Sequence, residues 1–116
     1  MRHKKKKATL GREKAQRAAL MRSLAESLIL YGAIKTTQAK ARALRSFVEP
    51  LVSRAKTDTL VSRRNLQKVL YTDKAATKLL KEIAPAYRDK KGGYTRIIKI
   101  GARGSDGAVM ARIEFV

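Results

Sequence analysis

The sequence predicts an α+β fold: about four helices packed with a small antiparallel sheet, preceded by a basic N-terminal arm. Three observations lead there. Apolar residues recur at helical spacing from residue 20 to residue 84. The last third switches to strand-like alternation around a glycine-rich turn. The first 22 residues hold nine Lys or Arg against one acid, Glu13. At 116 residues the chain reads as a single domain spanning 1–116. Within it, residues 1–11 are an extended basic arm and residues 12–116 the globular core.

MRHKKKKATLG, the arm, places five cations between Arg2 and Lys7 beside little apolar surface. Such a stretch cannot bury enough to collapse on itself and orders on a partner. The first helix is expected to begin near residue 12, so that Arg12, Lys14, Arg17 and Arg22 carry the charge of the arm onto it. Leu20, Leu24 and Leu28 recur at i, i+4 and i+8, joined by Met21, Ala25, Ile29 and Tyr31, and Gly32 stands where a C-terminal cap falls. AIKTT (33–37) is short and β-prone, and Thr36 or Thr37 is placed to cap the next helix. That second helix has an apolar stripe of Ala41, Leu44, Val48, Leu51, Val52 and Ala55. The stripe keeps phase across Pro50, which predicts one kinked helix rather than two.

Residues 57–70 predict a third helix capped by Thr57 or Asp58. Residues 72–84 predict a fourth, capped by Thr72, stopped before Pro85, and facing the core with Ala76, Leu79, Leu80 and Ile83. GGYTRIIKIGAR, GSDG and AVMARIEFV then read as a hairpin. Ile98 and Ile100 are assigned to one face of its first strand, and Ala111, Ile113 and Phe115 to one face of its second. With the 33–37 strand the hairpin completes the sheet.

Function follows from charge. There are 28 Lys and Arg against nine acids, a net charge of +19. Self-repulsion at that density favours a polyanionic partner, nucleic acid first and an anionic membrane surface second. No apolar run approaches the roughly 20 residues of a spanning helix, and the start lacks the apolar region of a secretory signal. Basic residues do not face a strong apolar stripe, which weakens the membrane reading. Without cysteine, and with His3 alone in a basic tail, neither a metal nor a cofactor is expected. There is no phosphate loop with its lysine, no HExxH and no GxSxG, so no enzyme is expected, and GARGSDG reads as a hairpin turn. No small-molecule substrate and no homo-oligomer are expected either.

Two readings of the polyanion remain: a folded RNA bound by a structural protein, or DNA bound by a free nucleoid-architectural protein. The tail has no recognition-helix or zinc-finger geometry and no interleaved aromatics for stacking along a single strand. An arm that threads between RNA helices and orders on contact fits better. The candidate contacts are Arg2, His3, Lys4, Lys5, Lys6, Lys7, Arg12, Lys14, Arg17, Arg22, Lys35, Lys40, Tyr94 and Arg96. Of the four tyrosines, Tyr94 is the one chosen as a surface contact. The third and fourth helices, with six basic and three acidic residues over 58–85, are expected to face solvent or neighbouring protein.

Several blocks also carry a family likeness. The start MRH, a basic run and LGR, then RSLAESLI, then IKTTQAKARALRSFVEPLVSRAK, and finally GGYTRIIKI and DGAVMARIEFV occur in order and with matching spacing. From end to end the chain resembles large-subunit ribosomal protein seventeen of the bacterial and organellar type. Ile34, Thr36, Thr37, Lys40, Ala41, Glu49, Leu51, Ala55 and Lys56 match the pattern of its most diagnostic block. Arg42, Val109 and the pair Gly104-Ser105 depart from it, the last two within the hairpin turn. The resemblance implies a non-catalytic constituent of the large ribosomal subunit that binds its ribosomal RNA and supports assembly and translation. It implies a cytoplasmic location in the ribosome, on the solvent side near the peptide exit tunnel, beside other large-subunit proteins.

Overall fold

Where the sequence changes period, the chain changes element. The computed structural model describes residues 13–116. Helix α1 (Lys14–Tyr31) is followed by β1 (Ala33–Thr37), α2 (Gln38–Ala55), α3 (Leu60–Val69) and α4 (Asp73–Lys78). A π-helical turn (Leu79–Ile83), α5 (Ala84–Ala86), β2 (Thr95–Ala102) and β3 (Val109–Phe115) complete the chain. The result is the expected α+β arrangement, with helices covering one face of a three-stranded antiparallel sheet of order β1-β3-β2.

Gly32 ends α1. It adopts φ 80°, a left-handed conformation that glycine enters without a Cβ penalty, and its N–H bonds the Leu28 carbonyl. At the far end of β1, Thr37 caps α2, its hydroxyl accepting from the Lys40 N–H at 3.3 Å. Helix α2 is the centre of the core: Ala41, Leu44, Val48, Leu51, Val52 and Ala55 are all buried. Ala25, Leu28 and Ile29 of α1 join it in one apolar cluster with Leu66, Ala75, Ala76, Leu79 and Leu80. Fully burying one such Leu stabilises by about 1.5–3 kcal/mol. Pro50 lies inside α2 without ending it. It and Ser46, whose carbonyl loses its helical donor, are both exposed, so water can replace the missing bond.

Polar side-chain contacts join elements that lie far apart in sequence. Glu49 of α2 accepts from the Gly93 N–H, the Thr95 N–H and the Thr95 hydroxyl, pinning the start of β2 to the helix. Glu26 of α1 accepts from the Tyr71 N–H and, at 2.7 Å, from the Thr72 hydroxyl, holding the α3–α4 junction. The Lys78 ammonium donates to the Leu30 carbonyl at the end of α1.

Three expectations need correction. The third helix starts at Leu60 and is capped by Thr59, whose hydroxyl accepts from the Ser62 N–H. Asp58 is not the cap because Lys81 holds its carboxylate at 2.7 Å and Arg63 approaches at 3.6 Å. Hydrogen bonding from Lys81, then its charge and that of Arg63, keep this carboxyl below its ordinary pKa. The fourth helical run does not stop before Pro85. It widens into the π turn, in which the Ala84 N–H bonds the Leu79 carbonyl, and passes Pro85 into α5.

The third correction concerns the hairpin. Ile98 and Ile100 face outward, 44% and 49% exposed. The core row is instead Ile34, Ile113 and Ile97, one from each strand. Register with buried Ile113 selects Ile97, because alternation along one strand fixes both faces once one pair is set. Beyond it, a bulge between Lys99 and Gly101 breaks the alternation at Ile100.

Candidate nucleic-acid interface

Among the described residues, two places hold most of the cations expected to touch RNA. The first is the start of α1, where Lys14, Ala15, Gln16 and Ala18 are exposed because this part of the helix runs past the core. Lys14 and Arg17 are one turn apart there, and Arg22 is half-buried further along. Glu13 precedes the helix without a side-chain capping bond, and the first turn contains no acid. Basic side chains at a helix start oppose its dipole. Their placement therefore gains nothing from the helix dipole and suits an external anion.

The outer face of the sheet is the second place. Strand alternation sends Lys35 of β1, Arg112 and Glu114 of β3, and Arg96 and Ile98 of β2 to the side away from the helices. Lys35 is paired directly opposite Arg112, and Arg96 opposite Glu114. Glu114 accepts ion pairs from Arg96 at 3.5 Å and Arg112 at 3.6 Å. Lys35 makes no ion pair with any described acid. Beside Lys35 and Arg112, a groove of about 240 Å³ is also lined by Tyr31, Ala33 and Ile34.

The expected contact residues are thus distributed. Arg2, His3, Lys4, Lys5, Lys6, Lys7 and Arg12 lie outside the described residues. Lys14, Arg17 and Arg22 belong to α1; Lys35 and Arg96 share the outer sheet face. Lys40 stands in the first turn of α2, half-buried. The two basic regions do not merge: Lys14 and Tyr31, at opposite ends of α1, are about 26 Å apart at 1.5 Å per residue.

Tyr94 is the correction here. It is 1% exposed. Its hydroxyl sits 3.2 Å from the Ser53 hydroxyl and donates to the Lys90 carbonyl at 3.1 Å. The ring packs against Tyr87 with centroids 5.3 Å apart, and the Lys56 ammonium lies 4.7 Å over it. Lys56, followed by Ser53, holds the phenol below its ordinary pKa. Such a side chain is a core aromatic with a satisfied polar tip and cannot reach an external surface. Two residues of the outer face escaped the sequence reading. Arg112 was within reach, since placing Ala111 and Ile113 inward sends it outward. Tyr31 was not, because it continues the apolar strip of α1 yet is 77% exposed.

Among the described residues, no cluster of three or more His, Asp or Glu could hold a metal ion. No helix among them is long and apolar enough to cross a membrane.

Comparison with known proteins then fixes the family. The model described as Ribosomal protein L17 matches residues 20–116. The large ribosomal subunit protein bL17 of Gemmatimonas aurantiaca is 53% identical over 116 residues, covering all of this chain and 98% of that protein. Its counterpart in a Sulfurihydrogenibium species is 51% identical over 117 residues, covering all of this chain and 97% of that one. The bL17 of Methylacidiphilum infernorum is 50% identical over 115 residues, covering 99% of this chain and 88% of its own. A family match over most of the length, with relatives at half identity from end to end, makes this chain a member of the ribosomal protein L17 family.

Proposed function

We propose that the chain is a structural constituent of the large ribosomal subunit, in the cytoplasm, and binds ribosomal RNA through its basic N-terminal arm and first helix. The role is non-catalytic and supports subunit assembly and translation. Residues 1–11 act as the arm, with Arg2, His3 and Lys4 to Lys7 on the RNA; Arg12, Lys14, Arg17 and Arg22 extend the contact along α1. Lys35, Lys40 and Arg96 add contacts from the folded domain. Neighbouring large-subunit proteins are the other partners, and α3 and α4, with their more balanced charge, face them or solvent.

Charge surplus after folding carries this reading. Six of the nine acids, Glu26, Glu49, Asp58, Asp73, Asp106 and Glu114, are already engaged by donors of the chain itself. Six of the 28 basic residues precede residue 13, leaving 22 against nine acids and a net charge of +13 in the described part. That surplus needs counter-charge from outside, and phosphates supply it with release of their counterions. The names of the relatives favour the large ribosomal subunit as the source of those phosphates over a nucleoid.

Sucrose-gradient fractionation of cell extract at moderate salt tests the reading. The chain is expected to sediment with the large subunit; a pool found only with nucleoid or membrane contradicts it.

A further inference from the structure

We propose that the groove between the end of α1 and the outer face of the sheet holds a single unstacked ribonucleotide, its base on the Tyr31 ring and its phosphate between Lys35 and Arg112. This rests on the RNA-binding reading above and adds to it a specific, stacking contact remote from the arm.

Three features support the assignment. Tyr31 is 77% exposed, and its side chain makes no hydrogen bond or ring contact with any described residue. The other tyrosines are engaged: Tyr87 and Tyr94 pack together and Tyr71 donates to the Ala19 carbonyl. Tyr31 is nevertheless held firmly, as the last residue of an 18-residue helix closed by the Gly32 cap. An exposed aromatic on a rigid support is a stacking platform for any base.

Lys35 and Arg112 are direct cross-strand partners. Like charges placed opposite each other destabilise a sheet. Glu114 relieves Arg112 only at 3.6 Å and is shared with Arg96. A phosphate between the two cations removes the conflict, and Arg112 remains 47% exposed to receive it. The groove itself, about 240 Å³, falls below the roughly 300–1,000 Å³ of small-molecule pockets. Its size suits one base splayed from a folded RNA, the form in which single RNA residues are usually read, and excludes a helix.

Binding of the full-length chain to large-subunit ribosomal RNA, measured across a salt series, tests the proposal. Tyr31→Ala should weaken binding about 5- to 100-fold while leaving the salt slope unchanged, since stacking involves no counterion. Tyr31→Phe should bind within about twofold of the parent, because the ring is kept. Lys35→Gln and Arg112→Gln should each flatten the slope, and the double variant by about 0.7–0.9, the share of the one phosphate they hold together. Far-UV circular dichroism should be unchanged in all five, as none of these side chains belongs to the apolar core. If Tyr31→Ala binds as the parent does while deletion of residues 2–7 weakens binding, the groove holds no nucleotide and the RNA reading survives. Should Tyr31→Ala keep its RNA affinity but lose an acidic protein from reconstituted subunits, the groove is a protein contact and the proposal falls. Failure of the parent chain to bind the RNA overturns both.

Discussion

Asp106 accepts three hydrogen bonds in the hairpin turn: two from the Arg103 guanidinium, at 3.0 and 2.6 Å, and one from the Ala108 N–H at 3.1 Å. The Arg103 fork, then the backbone donor, bring its pKa down from 3.8 to about 2. A carboxyl with a depressed folded pKa favours the folded turn above its unfolded value, and that contribution is lost as pH falls through about 2. An NMR titration of Asp106 should therefore show a midpoint near 2, and Arg103→Gln should return it toward 3.8. High salt should narrow the difference, because the pair is exposed. At this scale the sequence is least legible. Tyr94 and Tyr31 look alike as isolated tyrosines, yet one is sealed by Tyr87, Lys56 and Ser53 and the other stands open. Partners 41 residues apart in the chain decide that, as Ser53 and Tyr94 show, and no local pattern encodes them.

Elements with local punctuation are legible almost to the residue. Gly32 and Thr37 bound β1 and the start of α2 where sequence reading puts them, and the six buried residues of α2 are those of the predicted stripe. Legibility fails where a distant partner intervenes: Asp58 is drawn off to Lys81, and the face of β2 is chosen by Ile113. Pro85 misleads for another reason. The helical run reaches it through a π turn, and nothing in LLKEI announces one. Gly32 provides the test at this scale. An added Cβ meets no atom within 4 Å, so Gly32→Ala isolates the cost of φ 80°. That cost is about 1–2 kcal/mol, and the thermal midpoint should fall by roughly 4–8 °C per kcal/mol. Gly92, equally uncrowded and outside the left-handed region, should tolerate alanine with no loss of stability. Equal effects at both positions would remove the cap from the account.

The whole molecule is a small core carrying far more positive charge than it can neutralise. Its fold class was readable because the helical and strand periods are cleanly separated along the chain. Two of its basic regions, at the start of α1 and on the outer sheet face, were only half readable. The first is a charge run in sequence, whereas the second exists only once β1, β3 and β2 are aligned. RNA binding by the arm is checked by the salt dependence of binding to large-subunit ribosomal RNA. Deleting residues 2–7 removes five cations. Each phosphate that is no longer neutralised should flatten the slope of log K against log salt by about 0.7–0.9. The truncated chain should keep the circular dichroism of the parent, bind more weakly at low salt and show a slope reduced by several such steps. An unchanged slope, or a truncated chain that no longer folds, would contradict the division into an RNA-binding arm and a self-sufficient core.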